Sequence, residues 1–182
     1  VVIVGGGYIG LETAASLRTL GVEVTVLEAA GRVLERVTAP VVSEFCERIH
    51  REKGVEVRTD TLVEGFCGDE RVAGVVLAGG ETLAAELVIV GVGVIPNTEL
   101  AAAAGIDVDN GILVDDRARS SDPDILAAGD CVSHPIERYG RRARLECVAA
   151  ATEQAKVAAA TICGNDSALS SLPWFWSDQY DL

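Results

Sequence analysis

Three glycines, Gly5, Gly7 and Gly10, stand at Gly-x-Gly-x-x-Gly spacing between an apolar run and a helical pattern. Each position has a use in gripping a pyrophosphate. Gly5 permits a tight turn, Gly7 lets the backbone approach the phosphates, and Gly10 lets a helix pack closely on a strand. The N-terminus of that helix would face the phosphate charge. Glu28 ends the next apolar run, 18 residues beyond Gly10, where a carboxylate can accept hydrogen bonds from an adenosine ribose. A carboxylate there repels a 2′-phosphate and so favours NAD over NADP. Arg32, four residues on, argues the other way, because a cation beside Glu28 would soften that repulsion. A glycine turn without any ligand is the structural alternative. Further on, Asp130 follows an apolar run and Gly129, a setting suited to polyol hydroxyls or to an ordinary turn.

The elements that must position these residues can be read from periodicity. Val1 to Val4 is a continuous apolar run, as in a parallel strand buried on both faces. Residues 11–20 carry apolar positions at helical spacing, and Gly21 stops them; residues 22–27 form a second strand. Pro40 opens a helix through about Lys53 whose apolar stripe is Val41, Phe45 and Ile49, and residues 55–58 return as a strand. Residues 62–83 read as a three-stranded antiparallel excursion, with turns at Gly68-Asp69 and Gly79-Gly80. Residues 87–90 are another buried strand, closed by Gly91-Val92-Gly93. Beyond Pro96 the sequence predicts a small Ala-rich helix, a hairpin at Asp109-Asn110-Gly111, strands at 112–114 and 125–128, and a helix over 148–163.

Composition narrows the function classes. The chain has 182 residues, 49% apolar and 24% charged, with a net charge of −13. Such a surface disfavours nucleic acid and anionic lipid. The longest clean apolar stretch, residues 87–95, is too short to span a bilayer, and the strand-like opening is not a signal peptide. A cytoplasmic protein is expected. The five cysteines show no CxxC spacing and no metal-type cluster with His50 or His134; reduced, mostly buried thiols are expected. There is no Met at all, which suggests a piece of a longer protein.

Taken together, several segments resemble the FAD-dependent pyridine-nucleotide reductases, in the ferredoxin reductase branch that serves bacterial oxygenases (the putidaredoxin reductase-like proteins). They are residues 1–12, Arg32-Val33-Leu34-Glu35-Arg36, Asp109-Asn110-Gly111-Ile112 and Ala128-Gly129-Asp130-Cys131. Leu145-Glu146, Glu153-Gln154-Ala155 and the tail Pro173-Trp174-Phe175-Trp176-Ser177-Asp178-Gln179-Tyr180 follow in family order. The resemblance implies that Gly5, Gly7, Gly10 and Glu28 belong to an NAD domain. Glu12 then points toward the nicotinamide–flavin junction as an orienting residue, with Tyr8 and Ile9 on the same wall, and Gly91 and Gly93 give the nicotinamide half room. Asp130, after Gly129, holds the FAD ribityl chain, the backbone at Val148 meets the flavin ring, and Trp176 falls near the flavin edge where a redoxin docks.

The implied organisation is α/β: a Rossmann-like NAD domain over 1–92, the returning part of a FAD domain over 93–172, and the first strand of a third domain at 173–182. The implied parent takes hydride from NADH onto FAD and passes electrons to a ferredoxin or rubredoxin. No metal is implied. The span by itself is expected to bind NAD weakly, to hold no stable FAD and to be inactive. A disulfide-type reductase of the same superfamily and a non-enzymatic NAD-binding module are the alternatives. Arg138, Arg141, Arg142 and Arg144 form a basic cluster suited to an acidic redoxin or to a solvated loop, and Lys156 occupies a position implicated in docking.

Overall fold

Val2, Ile3 and Val4 form β1 (Val2–Val4), and all three are buried. α1 (Tyr8–Thr19) follows directly and turns Gly10, Leu11, Ala14 and Ala15 onto the sheet. β2 (Thr25–Leu27) and α2 (Pro40–Glu52) come next, with Pro40 in the first turn of α2, where its missing N–H costs nothing. β3 (Glu56–Arg58) completes this run. The chain then makes a separate antiparallel sheet of β4 (Val63–Cys67), β5 (Gly74–Leu77) and β6 (Thr82–Ala84) before returning as β7 (Val88–Val90).

The main sheet is parallel, in the order β3-β2-β1-β7. Ile3 sits opposite Val26 on one side and Ile89 on the other, and Val26 is opposite Val57. One face packs Ile3, Leu11, Ala14, Val26, Val33 and Val57 into a single core. Each valine, leucine or isoleucine among them, removed from water, contributes about 1.5–3 kcal/mol. Val75 and Leu77 of the antiparallel sheet cover Val2 and Leu27 on the other face.

The computed structural model describes residues 1–182 and divides them into two compact units, 1–94 with 177–182 and 95–176. The second unit contains α3 (Glu99–Ala103), β8 (Ile112–Leu113), β9 (Val132–Ile136), a 3-10 turn (Glu137–Tyr139), β10 (Arg141–Arg144) and α4 (Val148–Ile162). Its sheet runs β10-β9-β8, antiparallel at the first pairing and parallel at the second. No helix of either unit is long and apolar enough to cross a membrane.

Several expectations change. Val41 and Phe45 are exposed, and α2 instead turns Ser43, Cys46 and His50 inward. Those positions share a face at helical spacing, and the polar ones are buried because each has a partner. β7 is half open rather than buried, because it is the edge strand of its sheet. Residues 125–128 make one bridge, Arg119 to Leu126, and no strand. The stretch is confined between a turn in which the Ile125 N–H reaches the Asp122 carbonyl and the left-handed Gly129 (φ 101°). The strands missed are β9, whose Pro135 obscures the pattern, and β10, whose run of arginines carries no apolar signal.

Residues 173–182 hold no strand: 173–176 group with the second unit, and 177–182 pack on the first. The basic cluster is mostly β10, not a loop. Arg142 donates to the Ser133 carbonyl at 2.8 Å, and Arg144 is paired with Glu146, which leaves Arg138 and Arg141 exposed. The thiols are less buried than expected, with Cys67 and Cys163 exposed and the other three half-buried.

Candidate dinucleotide-binding site

In the first unit the chain leaves β1 toward β2 on one side and returns through β7 on the other. The carboxyl ends of β1 and β7 therefore flank a topological switch point, the place where open α/β sheets bind ligands. Gly5 ends β1 and Gly91 ends β7, and the two loops touch. A Cβ on Gly5 would lie 2.4 Å from the Gly91 carbonyl oxygen, and Gly5 itself has φ 106°, so only glycine fits. Gly7 differs: a Cβ there would meet nothing within 4 Å. Its open side is where a pyrophosphate would approach the first turn of α1, whose N-terminal N–H groups have no side-chain cap. The residues thus fit a dinucleotide.

Glu28 is fixed from both sides. Its Oε2 accepts the Gly6 N–H at 2.7 Å and its Oε1 accepts the Ala30 N–H at 2.8 Å, which holds the carboxylate at the lip of the glycine loop. Arg32 makes no ion pair with it. The guanidinium donates to the Ser43 hydroxyl at 2.6 Å, the Glu35 carbonyl at 2.8 Å and the Thr38 carbonyl at 3.1 Å. These bonds spend the cation inside its own loop. Arg36, which the sequence places only in a family segment with no site role, has its Nη2 3.3 Å from where a Gly93 Cβ would stand, and Gly93 has φ 108°. A basic residue following the ribose acid was the available signal.

Tyr8 and Ile9 open α1, Tyr8 half-buried and Ile9 62% exposed. Burial, with Cys46 nearby, pushes the Tyr8 phenol up, and burial pushes the Cys46 thiol up, so both stay neutral at pH 7. Glu12 lies one turn further along α1. Its Oε1 accepts the Ser177 hydroxyl at 2.6 Å and the Asp178 N–H at 3.3 Å. Sequence reasoning placed Ser177 in a different domain and missed this contact.

The second unit holds the other candidates. The Gly129-Asp130 turn is pinned by Gln154, whose Oε1 accepts the Gly129 N–H at 2.7 Å. A Cβ on Gly129 would meet nothing within 4 Å, so the turn is open. Gln154 is 1% exposed, yet its Nε2 has no partner. Such an orphaned donor behind an open turn fits a polar ligand chain. Val148 begins α4 and is exposed, with Cys147 at the N-cap donating weakly to the Trp174 carbonyl at 3.7 Å. Trp176 lies against Trp174, with ring centroids 5.6 Å apart.

Putidaredoxin reductase of Pseudomonas putida is 50% identical over 185 residues, which cover 100% of this chain and 44% of that protein. Rhodocoxin reductase of Rhodococcus erythropolis is 44% identical over 182 residues, covering 100% of this chain and 43% of that one. Among solved structures, the covalent complex of putidaredoxin reductase with putidaredoxin matches with a TM-score of 0.95 at 50% identity, over 99% of this chain and 44% of that chain. The chain thus spans less than half the length of these relatives. The sequence profile of the pyridine nucleotide-disulphide oxidoreductases matches residues 1–155, and the chain belongs to that family.

Proposed function

We propose that this chain is the nucleotide-binding part of an NADH-dependent FAD flavoprotein that reduces a ferredoxin or rubredoxin serving an oxygenase. The observation that carries the reading is the switch-point crevice, where the open Gly7 and the doubly held Glu28 fit the pyrophosphate and ribose of NADH. The family and the redoxin reductases among its relatives support the rest. With the Arg32 guanidinium tied into its own loop, it is not available to offset the repulsion of a 2′-phosphate by Glu28. NADH is therefore the donor in this reading, which places the enzyme in the cytoplasm.

The roles of the chain's own residues are binding and orientation. Gly7 admits the pyrophosphate, with Gly5 and Gly10 holding the turn and the helix close behind it, Glu28 takes the ribose hydroxyls, and Gly91 and Gly93 keep the space beside the nicotinamide clear. Glu12, with Tyr8 and Ile9 near it, orients the nicotinamide end. Gly129 and Asp130 would hold the ribityl chain, with Val148 at the helix start and Trp176 at the flavin edge. A helix N-terminus stabilises negative charge on a reduced ring. The chemistry that bound flavin supplies is acceptance of the hydride pair and its release one electron at a time. The balance is one NADH and two oxidised redoxins to NAD⁺, a proton and two reduced redoxins. Arg138, Arg141 and Lys156 remain available to steer an acidic redoxin.

The test is purification of the full-length protein, followed by its flavin absorbance and its NADH-dependent reduction of cytochrome c with and without added ferredoxin. Stoichiometric flavin and redoxin-dependent reduction are expected. Reduction of a disulfide substrate instead would assign it to the disulfide-type reductases, and absence of flavin would leave an NAD-binding module.

A further inference from the structure

Residues 177–182 return to the first unit and bring Ser177 and Asp178 to Glu12. Behind that contact runs a chain of hydrogen bonds whose direction is fixed. A carboxylate only accepts, so the Ser177 hydroxyl donates its hydrogen bond to Glu12 Oε1 at 2.6 Å. Ser177 Oγ is then left to accept, and it takes an N–H of Gln179 Nε2 at 3.2 Å. The amide is thereby oriented with its Oε1 toward His50, which must donate from Nε2–H at 3.0 Å. The other ring nitrogen, Nδ1, becomes an acceptor and takes the Tyr180 hydroxyl at 3.0 Å. His50 is 0% and Gln179 7% exposed, so the far end of the chain is held in the protein interior.

Every bond in this chain points toward Glu12, and aligned hydrogen bonds polarise one another. Both protein donors fall on one oxygen of the carboxylate, Oε1; Oε2 has none. The side chain is thus fixed by one oxygen and presents the other. A carboxylate oxygen held in this way recognises an N–H donor. Granted the NADH reading above, on which this inference rests, the N–H donor at the nicotinamide end is the carboxamide.

We infer that Ser177 is a positioning residue for the nicotinamide: through Glu12 it presents Oε2 to the carboxamide N–H₂, with Gln179, His50 and Tyr180 fixing the direction of the serine hydroxyl.

The test uses calorimetry on the full-length protein with three probes: ADP-ribose, NAD⁺, and the 3-acetylpyridine analogue, which carries a methyl group where the carboxamide has N–H₂. Wild type binds NAD⁺ more tightly than the analogue. Ser177→Ala is expected to weaken NAD⁺ about tenfold, the loss of one charge-assisted hydrogen bond, and to leave ADP-ribose and the analogue unchanged. Ser177→Thr restores the preference, and Ser177→Ala adds nothing in a Glu12→Gln background. An unchanged NAD⁺-to-analogue ratio, or equal weakening of all three probes, overturns the inference. If wild type binds neither NAD⁺ nor ADP-ribose, the NADH reading itself falls and takes this inference with it. One measurement needs no folded Ser177 variant: the ¹⁵N spectrum of wild type must show His50, assigned by its loss in His50→Gln, as the Nε2–H tautomer. An Nδ1–H tautomer reverses the chain and overturns the proposal.

Discussion

A Cβ on Gly10 would stand 2.0 Å from the Gly5 carbonyl oxygen, so the first turn of α1 and the turn after β1 meet backbone to backbone. Neither partner is a side chain that could swing away. Gly10→Ala must therefore shift α1 on the sheet, at a cost of about 1–3 kcal/mol. Thermal melting should show a lower Tm and an NADH titration a weaker affinity. An unchanged Tm would mean that the loop relaxes freely.

Gly7→Ala is the contrasting case. Gly7 has φ −79° and ψ −176°, which alanine adopts without strain, and its added methyl meets no protein atom. The methyl would instead occupy the space where a pyrophosphate comes against the backbone. Stability should stay within about 0.5 kcal/mol of wild type, while NADH binding weakens severely. Equal binding by the variant would place the phosphates elsewhere.

The first βαβ unit was legible because local chemistry alone dictates it: a buried apolar run, a glycine turn, a helix and a second strand ending in Glu28. The antiparallel excursion was legible from its glycine turns. What could not be read is what depends on distant partners. Val41 and Phe45 look like a core stripe, yet α2 buries Ser43 and His50, because Arg32 and the 177–180 segment satisfy them. Nothing local marks a serine or histidine as interior when its partner lies 129 residues away, as Gln179 does from His50. Residues 125–128 erred in the other direction: the run pairs with 118–120 through a single bridge, because the Asp122 turn and the left-handed Gly129 cut it short on both sides. Ser177 shows the same dependence at the candidate site: its role at Glu12 follows from where the chain returns.

Ser43 should also influence the choice of dinucleotide. Its hydroxyl is fully buried and accepts from Arg32 at 2.6 Å, one of three bonds that hold the guanidinium away from Glu28. Glu28→Ser removes the charge that repels a 2′-phosphate, but leaves Arg32 tied down. Adding Ser43→Ala releases one tether. The double variant should therefore gain more in kcat/KM for NADPH than Glu28→Ser alone, by about tenfold for a bond of this kind. No difference between the two would show that Arg32 plays no part in discrimination.

His50 gives the first unit a pH-dependent stability of definite sign. Burial lowers its pKa below the ordinary value, outweighing the opposing hydrogen bond that His50 donates to Gln179. Its neutral form is also the one the network needs, because Nδ1 accepts the Tyr180 hydroxyl and Lys53 Nζ lies 5.6 Å over the Tyr180 ring. Well above about pH 6.5, the ordinary histidine value, the imidazole is neutral in both folded and unfolded chains and contributes no slope. As pH falls below that value the unfolded chain takes up the proton first, so stability drops until pH reaches the lowered pKa of the folded state. Carboxylates add their own acid sensitivity, so the comparison is between wild type and His50→Gln. Their difference in Tm should be steady well above about pH 6.5 and narrow in favour of the variant as pH falls through that value. A difference that stays constant down to pH 5, within about one unit and a half of the ordinary histidine value, would show that His50 is not held neutral.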